Sequence, residues 1–279
     1  MPLVTSEKMM MDAQKNGYAI AAFNIENMEM AQAVVWGAAK LNTPVIMQTT
    51  PSTVRYSGLN YYYAIGKAAA ESVSVPVAIH LDHGDNFELA MQALRQGYTS
   101  IMIDGSQKVF NENIALTKSV VDTCKASGIP VEAELGRVGG KEDDLVNDEA
   151  GYTLPEEAAE FIERTGASTL AVAIGTAHGV YKNKPRLDLE RLSTIRRLVS
   201  IPLVLHGASG LSNEAVRESI RRGICKVNFA TELRIAFSNS VKQVLKANPD
   251  VFDPKKYLAA GRQAVQRVVE EKILVCGGN

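Results

Sequence analysis

Histidine is scarce in this chain, with four residues in 279, and cysteine is scarcer still, with three. Cys124, Cys225 and Cys276 are odd in number and far apart, so they form neither a metal spacing nor a disulfide framework. An excess of charge of either sign is also lacking. The formal net charge of −1 removes the basic surplus of a nucleic-acid or anionic-membrane binder, and neither partner is expected. Apolar runs are short, and none approaches the ~20 residues of a membrane-spanning helix. The opening MPLVTSEKMMMDAQKNG lacks the apolar stretch of a signal peptide, and Ser6 within it is placed to cap a first helix. A reducing cytoplasm is the expected compartment. No low-complexity linker divides the chain, so one domain over 1–279 is expected.

Short apolar, β-branched runs recur at 18–23, 44–48, 76–80, 100–104, 130–134, 170–174, 202–206 and 224–228. Continuous apolar runs suit strands buried on both faces, as in parallel sheets. Between them lie helical periodicities such as MEMAQAVVWGAAKLN and NFELAMQALRQG, several ending in Gly or Asn. Eight such units predict an α/β fold, a (β/α)8 TIM barrel, with extra C-terminal helix from about Pro249. A doubly wound open sheet is the runner-up, and no G-x-G-x-x-G follows the first run. The stretch 136–155, GRVGGKEDDLVNDEAGYTLP, is polar and glycine-rich without clean period. It predicts a long loop on the face where barrel active sites lie.

The few histidines all sit where an apolar run meets glycine or acid: VPVAIHLDHG, LAVAIGTAHG and IPLVLHGASG. His80 lies inside its run and reads as a core histidine. His83, His178 and His206 come from three different strand ends. Three imidazoles can hold Zn²⁺ with a position left open for substrate, as a Lewis-acid catalyst needs. Asp82 reads either as a loop cap or as a proton donor and acceptor beside the metal. Asp104 and Glu134 either orient the histidines or ligate at a second or alternative cation position, and Glu132 ends the same run as Glu134.

A second constellation follows the last two strands. Gly207, Ala208 and Ser209 lead into one helix, and Asn228, Phe229, Ala230 and Thr231 into another. Small residues at helix starts let backbone N–H groups approach a phosphate, and Gly179 lies close enough in sequence to His178 to join them. The two sites together predict a phosphorylated substrate with oxygens on a divalent metal, and hence enediolate chemistry: aldol cleavage, isomerisation or epimerisation. Lys226 is the only lysine near a strand end that could raise the question of a Schiff base.

These segments resemble the class II, metal-dependent ketose-bisphosphate aldolases. The matching pieces are AFNIENMEMAQAVV, VAIHLDHG, MIDGS, VEAELGRVGGKEDD, LAVAIGTAHGVYK, LVLHGASGL and GICKVNFATELR, in order from Phe23 to Arg234, and DPKKYL continues the match. The resemblance implies that His83, His178 and His206 bind catalytic Zn²⁺ and that Asp82 is the acid/base at the substrate's C4 hydroxyl. It places Asp104 and Glu134 at a second cation. Gly179, Gly207, Ala208, Ser209, Asn228, Phe229, Ala230 and Thr231 then form the dihydroxyacetone-phosphate site. Glu142 matches a mobile acid that exchanges a proton at the nascent carbanion, in a loop whose closure excludes water. Arg262 matches an arginine on the distal phosphate, supplied by a neighbouring subunit in some members, so a homodimer or homotetramer is implied. Bidentate pairing suits that task.

The substrate is less plainly written. Gly105 and Gln107 stand where the common pattern has Ala and His, and Gly105 also occurs in relatives acting on other phosphorylated keto acids. Thr50 resembles the tagatose branch, which can require an accessory subunit, while Arg55 and Arg262 lean toward the fructose branch. The rival readings are a metal-dependent sugar-phosphate epimerase and a barrel retained as a non-enzymatic subunit.

Overall fold

A computed structural model describes residues 3–142, 145–147, 151–179 and 185–277. The chain opens with α1 (Ser6–Asn16), β1 (Ile20–Asn24), α2 (Met28–Lys40), β2 (Val45–Thr49), α3 (Pro51–Ser57) and α4 (Leu59–Glu71). It continues through β3 (Val77–Gly84), α5 (Phe87–Gln96), β4 (Ser100–Ile103), α6 (Phe110–Lys125), β5 (Val131–Leu135), β6 (Gly139–Glu142), β7 (Leu145–Asn147) and α7 (Pro155–Thr165). The last third holds β8 (Thr169–Val172), β9 (Ala177–His178), α8 (Leu189–Leu198), β10 (Leu203–Leu205), α9 (Asn213–Arg221), β11 (Ile224–Phe229), α10 (Thr231–Ala247) and α11 (Pro254–Val275).

Strands β1, β2, β3, β4, β5, β8, β10 and β11 close a parallel barrel, the predicted (β/α)8 architecture. Each overlaps one of the eight apolar runs. All are buried along their length, because the helices cover the outer face and side chains fill the inner one. Helix starts are set by side-chain caps: Asn27, Asn86, Asp188 and Ser212 each accept a first-turn amide.

Three local expectations need correction. Ser6 does not cap the first helix. Thr5 occupies the cap position, and the Ser6 hydroxyl turns inward to donate to Ser100 Oγ at 2.9 Å. Helix α1 thereby closes the N-terminal end of the barrel, packing Met9, Met10 and Ala13 on Ile20, Ile46, Ala78, Ala171 and Val204. The stretch 136–155 is not a plain loop: β6 and β7 pair antiparallel, and β6 also pairs with β9 in parallel, with Gly140 opposite His178. Gly140 sits at φ 91°, and a Cβ there would meet the His178 carbonyl oxygen at 2.3 Å, so a side chain is excluded. Finally, β3 runs on to Gly84, so Asp82 and His83 lie within the strand rather than after it.

The C-terminal addition is α11, started by Asp253 as cap and Pro254 in its first turn, and packed against α2. Gly37 allows that approach, since a Cβ there would lie 2.8 Å from Val269 Cγ1. Among the described residues no helix is long and apolar enough to cross a membrane.

Candidate metal centre and active site

The period-two alternation of a strand assigns its residues to inside or outside the barrel. On β3 it turns Ala78, His80 and Asp82 inward in succession. The register against β4 then shifts between Leu81 and Gly84, and His83 takes φ 51°, in the left-handed region that a non-glycine residue seldom occupies. That local strain takes His83 out of the strand's alternation and sets its ring against those of His178 and His206.

His83, His178 and His206 converge. One ring nitrogen from each lies within 4.8 Å of the others, and ring centroids are 4.6 Å apart for His83–His206 and 5.0 Å for His83–His178. A second group, His83 with Asp104 and Glu134, meets the same distance limit. The donor chemistry fits a divalent ion. His83 Nδ1 stands 2.7 Å from Asp104 Oδ2, which turns the opposite nitrogen, Nε2, away from the carboxylate. His206 Nε2 stands 3.0 Å from Glu132 Oε1, while Nδ1 faces Glu134 Oε2 at 3.1 Å, off hydrogen-bond geometry. Imidazole and carboxylate donors facing one point are what an ion with nitrogen and oxygen ligands requires.

Burial alone would lower the His206 pKa, but the Glu132 and Glu134 carboxylates outweigh it and push it up to about 9. Burial would raise Asp104, yet its bonds to His83 and to the Ser106 amide hold it well below the usual carboxylate range. Glu132 behaves likewise, its burial being overcome by Lys226 and His206. His80 is buried beside the Lys226 ammonium and is held well below the ordinary histidine value, as a neutral core residue.

Asp82 is 1% exposed and accepts three amide N–H bonds of 3.0 Å: Asn24 and Gln48 on Oδ2, Asn228 on Oδ1. It is therefore a fixed group inside the barrel and not a loop cap. Asn24 and Gln48 were not picked out from sequence. Their signal was inward-facing polar residues at the ends of the first two apolar runs.

The turns after β10 and β11 meet, with the Ala230 amide donating to Ser209 Oγ at 3.1 Å. Gly207 has φ 67° and a Cβ there would meet the Ala177 carbonyl at 2.6 Å, which brings 207–209 against the His178 segment and Gly179. Helix α10 begins after Ala230 without a side-chain cap, leaving its first amides to other acceptors. The neighbouring Gly210 amide is taken by Glu232.

Other expected residues lie apart from this cluster or carry second tasks. Thr50 caps α3 through its hydroxyl and contacts Thr53 Oγ1 at 3.1 Å. Arg262 lies across α2, donating to Gln32 Oε1 at 2.6 Å with its guanidinium 4.8 Å from the Trp36 ring. Arg55 pairs with Asp85 at 3.8 Å on the surface. Glu142 belongs to β6 by its backbone, and its side chain lies outside the described residues. Gly105 has a packing cause of its own: a Cβ would meet Asn113 Oδ1 at 2.3 Å, and Asn113 is held by the Glu134 carbonyl and Thr117.

A family model for class II fructose-bisphosphate aldolase matches residues 4–279. The chain belongs to the class II fructose-bisphosphate aldolase family. The aldolase is similar to the YdjI aldolase of Escherichia coli K12, at 37% identity over 99% of this chain and 98% of that one, with a TM-score of 0.86. It is also similar to a Coccidioides immitis protein provisionally named a fructose-1,6-bisphosphate aldolase, at 32% identity over 97% and 95%, TM-score 0.88. Fructose-bisphosphate aldolase of Campylobacter jejuni, 23% identical over 100% and 97% with a TM-score of 0.83, shares the fold. The aldolase is thus a carbon–carbon lyase of a generally metal-dependent family, with candidate His, Asp and Glu ligands in place.

Proposed function

We propose that the aldolase reversibly cleaves a ketose-1,6-bisphosphate, of fructose or tagatose configuration, to dihydroxyacetone phosphate and glyceraldehyde 3-phosphate, with Zn²⁺ held by His83, His178 and His206. The observation that carries this reading is the convergence of the three imidazoles, one of them from the residue next in sequence to a buried Asp82 that three amides fix. When bound, the ion supplies Lewis acidity to a substrate carbonyl.

In cleavage the Asp82 carboxylate accepts the C4 hydroxyl proton as the C3–C4 bond breaks, and in condensation it returns that proton. Asn24, Gln48 and Asn228 hold the carboxylate in one orientation. Gln48 Oε1 and Asn228 Oδ1 are buried without a hydrogen-bond partner among the described residues, and both can accept from sugar hydroxyls. Backbone amides at Gly179, Gly207, Ala208 and Ser209, with that of Thr231 at the start of α10, bind the phosphate of the dihydroxyacetone half, Asn228, Phe229 and Ala230 shape the turn that presents them, and Thr50, which follows β2, is a further substrate contact. Glu142, on a strand paired to the His178 segment, exchanges the carbanion proton. Asp104 orients His83. A second cation at His83, Asp104 and Glu134 requires Asp104 to release the His83 Nδ1 bond. Arg262, lying across α2 of its own chain, serves the distal phosphate of a neighbour in a homodimer or homotetramer. Three free, buried cysteines suit a reducing cytoplasm.

Triose-phosphate release from fructose-1,6-bisphosphate and from tagatose-1,6-bisphosphate, each with and without chelator, tests this reading. Chelator-sensitive cleavage of either is expected, and the ratio of kcat/KM values assigns the branch. No release from metal-loaded enzyme turns the assignment to another phosphorylated keto sugar or keto acid, an accessory chain, or epimerisation.

A further inference from the structure

Beneath the histidine centre lies a buried polar chain that the proposed chemistry does not use. Lys226, on β11, is 1% exposed and donates to both oxygens of Glu132, at 2.9 and 3.0 Å. Glu132 Oε1 in turn faces His206 Nε2 at 3.0 Å. On the other side Lys226 Nζ lies 3.5 Å from His80 Nε2, His80 Nδ1 lies 2.7 Å from Ser100 Oγ, and Ser100 receives the Ser6 hydroxyl of α1. An ammonium only donates. A carboxylate that takes two bonds from it is an acceptor at both oxygens, so the hydrogen in the Glu132–His206 contact sits on His206 Nε2. In the neutral ring, the form that binds a metal, the lone pair is then left on Nδ1, the nitrogen that faces Glu134 and the histidine centre.

We propose that Lys226 is a positioning residue for the metal: by pinning Glu132 beneath His206 it selects the Nε2–H tautomer and turns Nδ1 toward the ion. This rests on the metal assignment made above. Losing the ammonium frees Glu132 to turn, and His206 then loses the partner that fixes its ring.

The test compares Lys226→Met, Glu132→Gln and the double variant with the unaltered chain, measuring Zn²⁺ affinity by chelator competition, thermal stability, and the visible spectrum after Co²⁺ substitution. Lys226→Met should weaken Zn²⁺ binding about 10- to 100-fold and alter the Co²⁺ spectrum. The double variant, which buries no unpaired charge, should regain thermal stability but not metal affinity. Native affinity in Lys226→Met, or recovery of affinity together with stability in the double variant, overturns the proposal. In the unaltered, Zn²⁺-loaded chain, ¹⁵N spectra should show His206 protonated at Nε2. Protonation at Nδ1 overturns the proposal without any variant having to fold. An unaltered chain that binds no divalent ion at all refutes the metal assignment instead.

Discussion

The lower half of the barrel interior is filled by Ile20, Ile46, Ala78, Ala171 and Val204 under the Met9 and Met10 side chains of α1. The upper half holds Asn24, Gln48, His80 and Asp82 from later positions of β1, β2 and β3, Glu132 and Glu134 from β5, Lys226 and Asn228 from β11, and His206 just after β10, all buried. The lower half has the composition of an ordinary core and gains its stability from apolar area removed from water. The upper half gathers charges that cost free energy to bury unless paired. Two of these carboxylates are met by donors, Asp82 by three amides and Glu132 by Lys226, while Glu134 Oε2 faces the His206 ring without a hydrogen bond. The contrast separates the part of the barrel that holds the fold from the part that carries chemistry.

Four experiments break or sharpen that contrast. The largest effect is expected from Asp82→Asn, which keeps the shape of the group and removes its base: kcat for cleavage should fall about 10²- to 10⁴-fold while Zn²⁺ affinity holds. Near-normal turnover in the metal-loaded variant would refute the assignment. In the lower half Met10→Ala should do the opposite, lowering stability by about 2–5 kcal/mol in urea titration with kcat and metal affinity intact. A matching loss of metal affinity would show that the two halves are not separable.

The third experiment uses pH. His206 is raised to about 9 in the metal-free chain, so its protonated form stabilises that state fully below the unfolded value near 6.5, and the stabilisation is lost as pH rises through 9. Metal uptake has to displace this proton. Zn²⁺ affinity should therefore rise about tenfold per pH unit across that window, and the metal-free melting temperature should fall over the same range. A flat affinity profile would mean that His206 is not a ligand. The smallest effect is expected from Gly105→Ala. The added methyl meets Asn113 at the edge of the site and should cost about 1–3 kcal/mol in stability. A variant as stable as the parent, with altered substrate preference, would make Gly105 a specificity residue instead of a packing one.

Much of this was legible along the chain. The eight barrel strands and the histidine triad follow from local pattern, because strands buried on both faces read as unbroken apolar runs and their polar C-terminal ends interrupt them visibly. The hairpin within 136–155 was not legible: β6 gains its partners from β7 and β9, and its polar, glycine-rich residues carry no hydrophobic period. Asn24, Gln48 and Lys226 were also inconspicuous as site residues. Their importance lies in which residues they face across the barrel, and that depends on register between strands distant in sequence. Thr50 and Gly105, read as hints about substrate, turn out to carry local structural work as a helix cap and a close contact.

Periodicity and residue chemistry are local properties, so the barrel and the small set of imidazoles and carboxylates able to hold a divalent ion could be read along the chain, and the family from the resemblance of its motifs. Only the tertiary structure decided how those groups are used. Barrel closure sets Lys226 under Glu132 and Glu132 under His206, and the register shift in β3 turns His83 toward His178 and His206. Donor and acceptor roles depend on distances of about 3 Å between groups far apart in the chain, and only closure of the sheet supplies such distances.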